Sequence, residues 1–149
     1  MAKKIIMSVF FALIVFASDQ FIKSLFLGGL EWHSEIFSLY LVLNKGVAFS
    51  MFAFLGESLK YIQMALILAL LALVYREKSF FLKNYIAVGI IFGAGCGNII
   101  DRFLHGGVVD YIAWHYGFEF AVFNFADVMI NFAVILILIV MLFERKKTV

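Results

Sequence analysis

Proline is absent from this 149-residue chain, cysteine occurs once and histidine three times. Without proline nothing marks a stiff linker or a break between domains, and the length allows one domain, expected to run over residues 1–149. The lone Cys96 lies in an apolar run. It has no second cysteine for an internal disulfide and reads as a small hydrophobe. Charge of either sign is also scarce: 12 basic against 10 acidic residues leave a net +2. The basic residues gather at segment ends instead of forming a patch, so no nucleic-acid partner is expected.

Apolar side chains fill the space these absences leave. They make up 65% of the chain, with a mean hydropathy of +1.05, where a soluble domain is about half apolar. A protein this small cannot hide so much apolar surface from water, and a bilayer is the natural solvent. Four stretches stand out: Ile5–Leu27, Leu59–Tyr75, Tyr85–Ile100 and Phe125–Phe143. Each approaches the roughly 20 residues needed to cross about 30 Å of hydrocarbon. Lys3 and Lys4 before an apolar run, with small Ala17 and Ser18 after it, also fit a cleavable signal peptide. The apolar character that resumes after Asp19 and Lys23 favours an uncleaved first span. Basic residues lie before span one (Lys3, Lys4), between spans two and three (Arg76, Lys78, Lys83) and after span four (Arg145, Lys146, Lys147). The positive-inside rule therefore predicts both termini in the cytoplasm and the longer connections, 28–58 and 102–124, outside.

The first outer connection alternates from Phe37 to Leu43, offers a turn at Asn44-Lys45-Gly46 and predicts a returning strand over Val47–Phe52, a β-hairpin. The second carries Tyr111, Trp114 and Tyr116, aromatics suited to an interface. In span three, Gly89, Gly93 and Gly97 form a small-xxx-small row that admits a neighbouring helix. The run Gly93–Asn98 lacks the strand and helix that a nucleotide loop needs.

Charged groups within spans are costly and mark function. At 1.5 Å per residue, Asp19 lies about 22 Å beyond Lys4, Asp101 about 27 Å beyond Lys83 and Asp127 about 27 Å from Arg145. Three spans thus bring an aspartate to one level, near the outer edge of the hydrocarbon. Asn98, Arg102, Asp110 and Asn124 join that zone by adjacency. Asp19 and Lys23 have the i, i+4 spacing of a helical ion pair, and Asn124, Asp127 and Asn131 share one stripe. The plainer reading makes these residues caps, snorkelling anchors or helix glue. A transporter or proton-pathway subunit would also place carboxylates in spans, but usually at the midplane. Here the inner halves of the spans are apolar. His105, Asp110 and His115 do not have the spacing of a metal site, and neither a metal nor a cofactor is expected.

In order along the chain stand Ser18-Asp19-Gln20-Phe21-Ile22-Lys23, Asn44-Lys45-Gly46-Val47-Ala48-Phe49, Gly97-Asn98-Ile99-Ile100-Asp101-Arg102, Gly107-Val108-Val109-Asp110-Tyr111 and Phe123-Asn124-Phe125-Ala126-Asp127. In these motifs, their order and the four-span frame, nearly the whole chain resembles the lipoprotein signal peptidases, or signal peptidase II. Tyr111 stands where phenylalanine is common, and Ala121 and Val122 where a proline is often near, which is expected to loosen the approach to Asp127. The resemblance implies an all-α membrane protein, a four-transmembrane-helix bundle with a small extracytoplasmic β-hairpin or β-cradle between helices 1 and 2. It implies an aspartic endopeptidase of the bacterial inner membrane that removes the signal peptide from diacylglyceryl-modified prolipoproteins, cutting N-terminal to the lipidated cysteine. The catalytic pair it implies is Asp110 and Asp127. Asp19, Lys23, Asn44, Gly46, Asn98, Asp101, Arg102 and Asn124 then support the site or meet the substrate, with Arg102 expected to hold Asp101 or another acidic partner. The chain is expected to act as a monomer in contact with membrane lipid. Two neighbouring carboxylates share one proton, so one member can activate a water while the other hydrogen-bonds the scissile carbonyl.

Overall fold

The computed structural model describes residues 1–46, 53–56 and 58–145. Four helices carry most of the chain: α1 (Ala2–Leu27), α2 (Ser58–Arg76), α3 (Lys78–Leu104) and α4 (Phe125–Arg145). All four are long and apolar enough to cross a membrane. They extend the stretches expected from hydropathy, and α3 most of all. Its first turns, 78–83, are continuous with the span through a kink at Asn84 (φ −117°, ψ 18°). Only Glu77 separates α2 from α3, so most of the expected connection is helix.

α3 is the axis of the bundle and packs against each of the other three helices. Half of its most apolar stretch is buried within the protein, against 6–17% in α1, α2 and α4. The glycine row explains the closeness. A side chain at Gly89 would strike the Ser8 carbonyl of α1, and one at Gly93 the Ala12 carbonyl. The two backbones therefore touch where larger residues would hold them apart. Ala87, Ala94, Ala126 and Ala133 continue the small-residue core around Val15 and Ile90. Outward-facing side chains such as Leu13 (63% exposed), Leu66 (65%) and Leu142 (63%) form an apolar exterior that only lipid suits. At the end carrying the basic residues, Lys4 Nζ donates to the Leu82 carbonyl at 2.6 Å. Lys83 pairs there with Glu144 at 2.7 Å.

At the opposite end sits a three-stranded antiparallel sheet in the order β1 (Trp32–His33), β2 (Phe37–Asn44), β3 (Val108–Trp114). The strand expected from Phe37 onward forms. Its expected hairpin mate, Val47–Phe52, lies outside the described residues. The observed long partner of β2 is β3, from the second outer connection, which the sequence marked only as an aromatic interface segment. Phe37 pairs with Trp114 and Asn44 with Val108, with a one-residue bulge between Leu39 and Val42. The far edge of β3 is covered in turn. Ile112 and Phe123 exchange backbone hydrogen bonds of 2.9 and 3.1 Å, and Phe120 N–H donates to the Trp114 carbonyl at 3.0 Å. Segment 120–123 is thus hydrogen-bonded along the strand edge although no proline stands there.

Candidate active site

Asp110 projects from β3, directly before Tyr111, and the chain returns along the same strand edge to deliver Asn124 as the N-cap of α4. One reciprocal box closes this turn. Asn124 Oδ1 accepts from Asp127 N–H at 3.0 Å, and Asp127 Oδ2 accepts from Asn124 N–H at 3.1 Å. That is a capping box with Asn and Asp in its two places. The same Asn124 donates its side-chain amide to Asp110 Oδ1 at 2.7 Å. A single residue therefore holds both carboxylates, one through its backbone and one through its side chain.

The remaining oxygens are also occupied. Asn44, at the end of β2, donates to Asp110 Oδ2 at 2.9 Å. Its own Oδ1 accepts from Gly46 N–H at 2.9 Å, which fixes the amide's orientation. Asn98 of α3 donates to Asp127 Oδ1 at 3.1 Å. Asp110 is 2% exposed, and burial pushes its carboxyl up from the usual 3.8 to about 6. The Asn44 and Asn124 hydrogen bonds oppose that rise, and the neighbouring Asp127 charge adds to it.

Lys23 sits beneath this pair with 1% exposure. Its ammonium contacts Asp19 Oδ2 at 2.7 Å, Asp101 Oδ2 at 2.6 Å and Asn98 Oδ1 at 2.8 Å. The expected Asp19–Lys23 helical pair forms, and Asp101 joins it. Asp101 also accepts from Val109 N–H at 3.2 Å and from Gln20 at 3.0 Å, tying β3 to α3 and α1. Gly97 leaves the room for this: a side chain there would strike the Asp19 carboxylate. Lys23 contacts Asp19 and Asp101, while Asp110 and Asp127 are held by amide and backbone N–H groups, which makes a shared proton between those two electrostatically favourable.

Arg102 corrects the sequence reading. It does not hold Asp101. Its guanidinium donates to the Gly46 carbonyl at 2.5 Å, the Asn44 carbonyl at 3.4 Å and Gln63 Oε1 at 2.8 Å. Its planar fork braces the turn that carries Asn44 against α3 and α2. Gln63 escaped the sequence reading, although a lone amide within a span was the available signal. Tyr111 was expected only as an interface aromatic, and it is buried instead, 4% exposed. Its hydroxyl accepts from Phe125 N–H at 3.0 Å while its ring stacks on Phe26 at 4.1 Å. Burial pushes its phenol up to about 12, so it stays neutral.

The first turn of α4 is consequently closed from three directions: Phe125 N–H on Tyr111, Ala126 N–H on Asp19 Oδ1 at 3.1 Å, and Asp127 N–H on Asn124. Helix N-termini leave such donors unsatisfied, and here β3, α1 and the cap residue each supply an acceptor. Every site residue expected from the sequence borders this one cluster. His115 stands apart, bonded to the Ser34 carbonyl at 2.8 Å. The cluster opens into a cavity of about 480 Å³ bordered by Asn44, Asp110, Asp127 and Asn131 and walled by the apolar segment 120–123.

A family model described as Signal peptidase (SPase) II matches residues 11–143. A lipoprotein signal peptidase of Wolinella succinogenes is 56% identical over 133 residues, 89% of this chain and 91% of that protein. One from Helicobacter pylori is 48% identical over 143 residues, 96% of this chain and 90% of that one. Among solved structures, a bacterial membrane enzyme determined by the in meso method at 2.3 Å superposes with a TM-score of 0.79 at 27% identity, covering 94% of this chain and 90% of that one.

Proposed function

The chain belongs to the signal peptidase II family, membrane aspartic proteases that remove signal peptides from prolipoproteins, and we propose that it does this chemistry with Asp110 and Asp127 acting as one pair. The observation that carries the reading is the double grip of Asn124, which donates to Asp110 from its side chain and to Asp127 from its backbone. The pair holds one proton at neutral pH, and its two ionisations belong to the pair, not to either residue. The ionised member removes a proton from a water. The resulting hydroxide adds to the scissile carbonyl carbon while the protonated member gives its proton to the carbonyl oxygen. As the C–N bond breaks, a carboxyl proton passes to the departing nitrogen while a hydroxyl of the collapsing tetrahedral intermediate gives its proton to the other carboxylate, so the pair again holds one proton. Asn44, Asn98 and Asn124 hold the carboxylates; Asp19, Lys23 and Asp101 hold the layer beneath them; Arg102 holds Gly46 and the Asn44 turn.

The substrate is a prolipoprotein whose cysteine carries diacylglycerol, cut on the N-terminal side of that cysteine. Its acyl chains stay in the bilayer, which places the adjacent bond at the membrane surface. The protein works as a single membrane domain and a monomer in the bacterial cytoplasmic membrane, both termini inside and the site near the outer leaflet. The basic residues at the end opposite the sheet support that orientation. The segments around Asn44 and Trp114 flank the substrate, which photo-crosslinkers placed there would capture. Asp110→Asn and Asp127→Asn are expected to abolish cleavage of a synthetic diacylglyceryl precursor in liposomes while the protein still inserts. Wild-type turnover by either variant rules the pair out. A transporter finds no support, because the carboxylates gather at one end of the bundle beside the sheet.

A further inference from the structure

Two amides that hold neither carboxylate stand in the spans beside the aspartate pair. Gln63 of α2 and Asn131 of α4 both border the cavity of about 480 Å³ that Asp110 and Asp127 border. Each is fixed by one hydrogen bond. Gln63 Oε1 accepts from Arg102 Nε at 2.8 Å, and Asn131 Nδ2 donates to the Asp127 backbone carbonyl at 3.0 Å. Those bonds decide which way each amide faces, because a guanidinium N–H needs an oxygen and a carbonyl needs an N–H. The unused atoms are then a donor on α2, Gln63 Nε2, and an acceptor on α4, Asn131 Oδ1. Among the described residues neither atom has a partner. The other amides of the site, Asn44, Asn98 and Asn124, are already committed to the two carboxylates.

An unused polar atom within a span is costly and points to a group that it receives. The apolar run of a signal peptide offers these amides nothing from its side chains. Its main chain, extended in a cavity with apolar walls, offers an N–H and a C=O that need partners. Asn131 lies four residues, about 6 Å, deeper than Asp127 along α4. An extended chain advances about 3.3 Å per residue, so that depth corresponds to roughly two residues of substrate. Gln63 is five residues from the sheet end of α2 and Asn131 six from that of α4, about 8 and 9 Å along their helices. We propose that Gln63 and Asn131 clamp the main chain of the signal segment about two residues N-terminal to the scissile bond, Gln63 Nε2 donating to a carbonyl and Asn131 Oδ1 accepting from an N–H. This rests on the reading above that the substrate is a prolipoprotein. Gln63 is tied through Arg102 to the Asn44 turn, and Asn131 to the backbone of Asp127. The clamp therefore registers the peptide against the pair that cuts it.

The test is an ester scan. Synthetic diacylglyceryl precursors, each with one of the four main-chain amides before the scissile bond replaced by an ester, are given to the protein in phosphatidylglycerol–phosphatidylethanolamine vesicles. An ester has no N–H to give Asn131. With the wild type, one ester two or three residues before the cut is expected to lower kcat/KM roughly tenfold. Asn131→Leu is expected to cut the all-amide precursor roughly tenfold less efficiently and that ester no less efficiently than the amide. A folding defect would lower both and leave their difference in place. Gln63→Glu keeps an acceptor for Arg102 but lacks the donor, and is expected to lose roughly tenfold as well. A flat ester scan with the wild type, an ester penalty that survives in Asn131→Leu, or wild-type kcat/KM in Gln63→Glu overturns the clamp. If the wild type leaves every precursor uncut, the proteolytic reading fails. If it cuts them all alike, the clamp alone fails.

Discussion

Asn124 allows capping and carboxylate control to be separated. Its amide donates to a carboxylate oxygen 2.7 Å away, and Asn124 and Asp110 are 0% and 2% exposed. A hydrogen bond to an ionised group contributes about 1.5–3 kcal/mol, and about 1.4 kcal/mol corresponds to one pH unit. The bond favours ionised Asp110, so its loss raises an apparent pKa that already stands near 6. Water entering the adjoining cavity recovers part of that loss, leaving a rise of about one pH unit. In Asn124→Ser the hydroxyl still caps Asp127 N–H but is too short to reach Asp110. In Asn124→Ala the cap goes as well, at a further cost of about 1 kcal/mol in stability. The kcat–pH profile of both variants on a diacylglyceryl precursor should have its acidic limb moved up by the same amount, with the alanine protein alone losing thermal stability beyond the serine one. An acidic limb that stays in place in Asn124→Ser would refute the reasoning, because the carboxylate would then not depend on this donor.

Three further outcomes follow from the same contacts. Asp110 has a raised folded pKa, so its contribution to stability is full below about 3.8 and is lost as pH rises through about 6. Thermal scans in detergent should therefore show Asp110→Asn gaining on the wild type from about pH 4 to about pH 6 and holding that gain above it, and a gap independent of pH contradicts the burial argument. Lys23→Met leaves Asp19 and Asp101 buried without their shared cation and should cost about 3–5 kcal/mol together with activity. A variant as stable as the wild type would show that the ion cluster is dispensable. Tyr111→Phe keeps the stack on Phe26 but leaves the Phe125 N–H unpaired, at about 1–2 kcal/mol. Its kcat should fall with KM unchanged, since the first turn of α4 carries Asp127 and no substrate contact is lost; an unaltered kcat removes the hydroxyl from the positioning set.

Four spans, the basic residues at one end and the aspartates brought to one level by three helices were all legible in the sequence. Each depends on the cost of placing a given side chain in lipid, a local property that adds up along the chain. The i, i+4 pairing of Asp19 with Lys23 was legible for the same reason, because one helix contains both. The tertiary structure alone decided that β2 pairs with β3, that Lys23 binds Asp101 while Arg102 turns to Gly46, and that Tyr111 and Asp19 close the first turn of α4. It also decided that a cavity opens beside the carboxylates. Those outcomes depend on how each helix is rotated about its axis and on the register of strands from distant parts of the chain. Hydropathy carries no information on either, since turning a helix or shifting a strand changes which polar groups meet without changing how apolar the segment is.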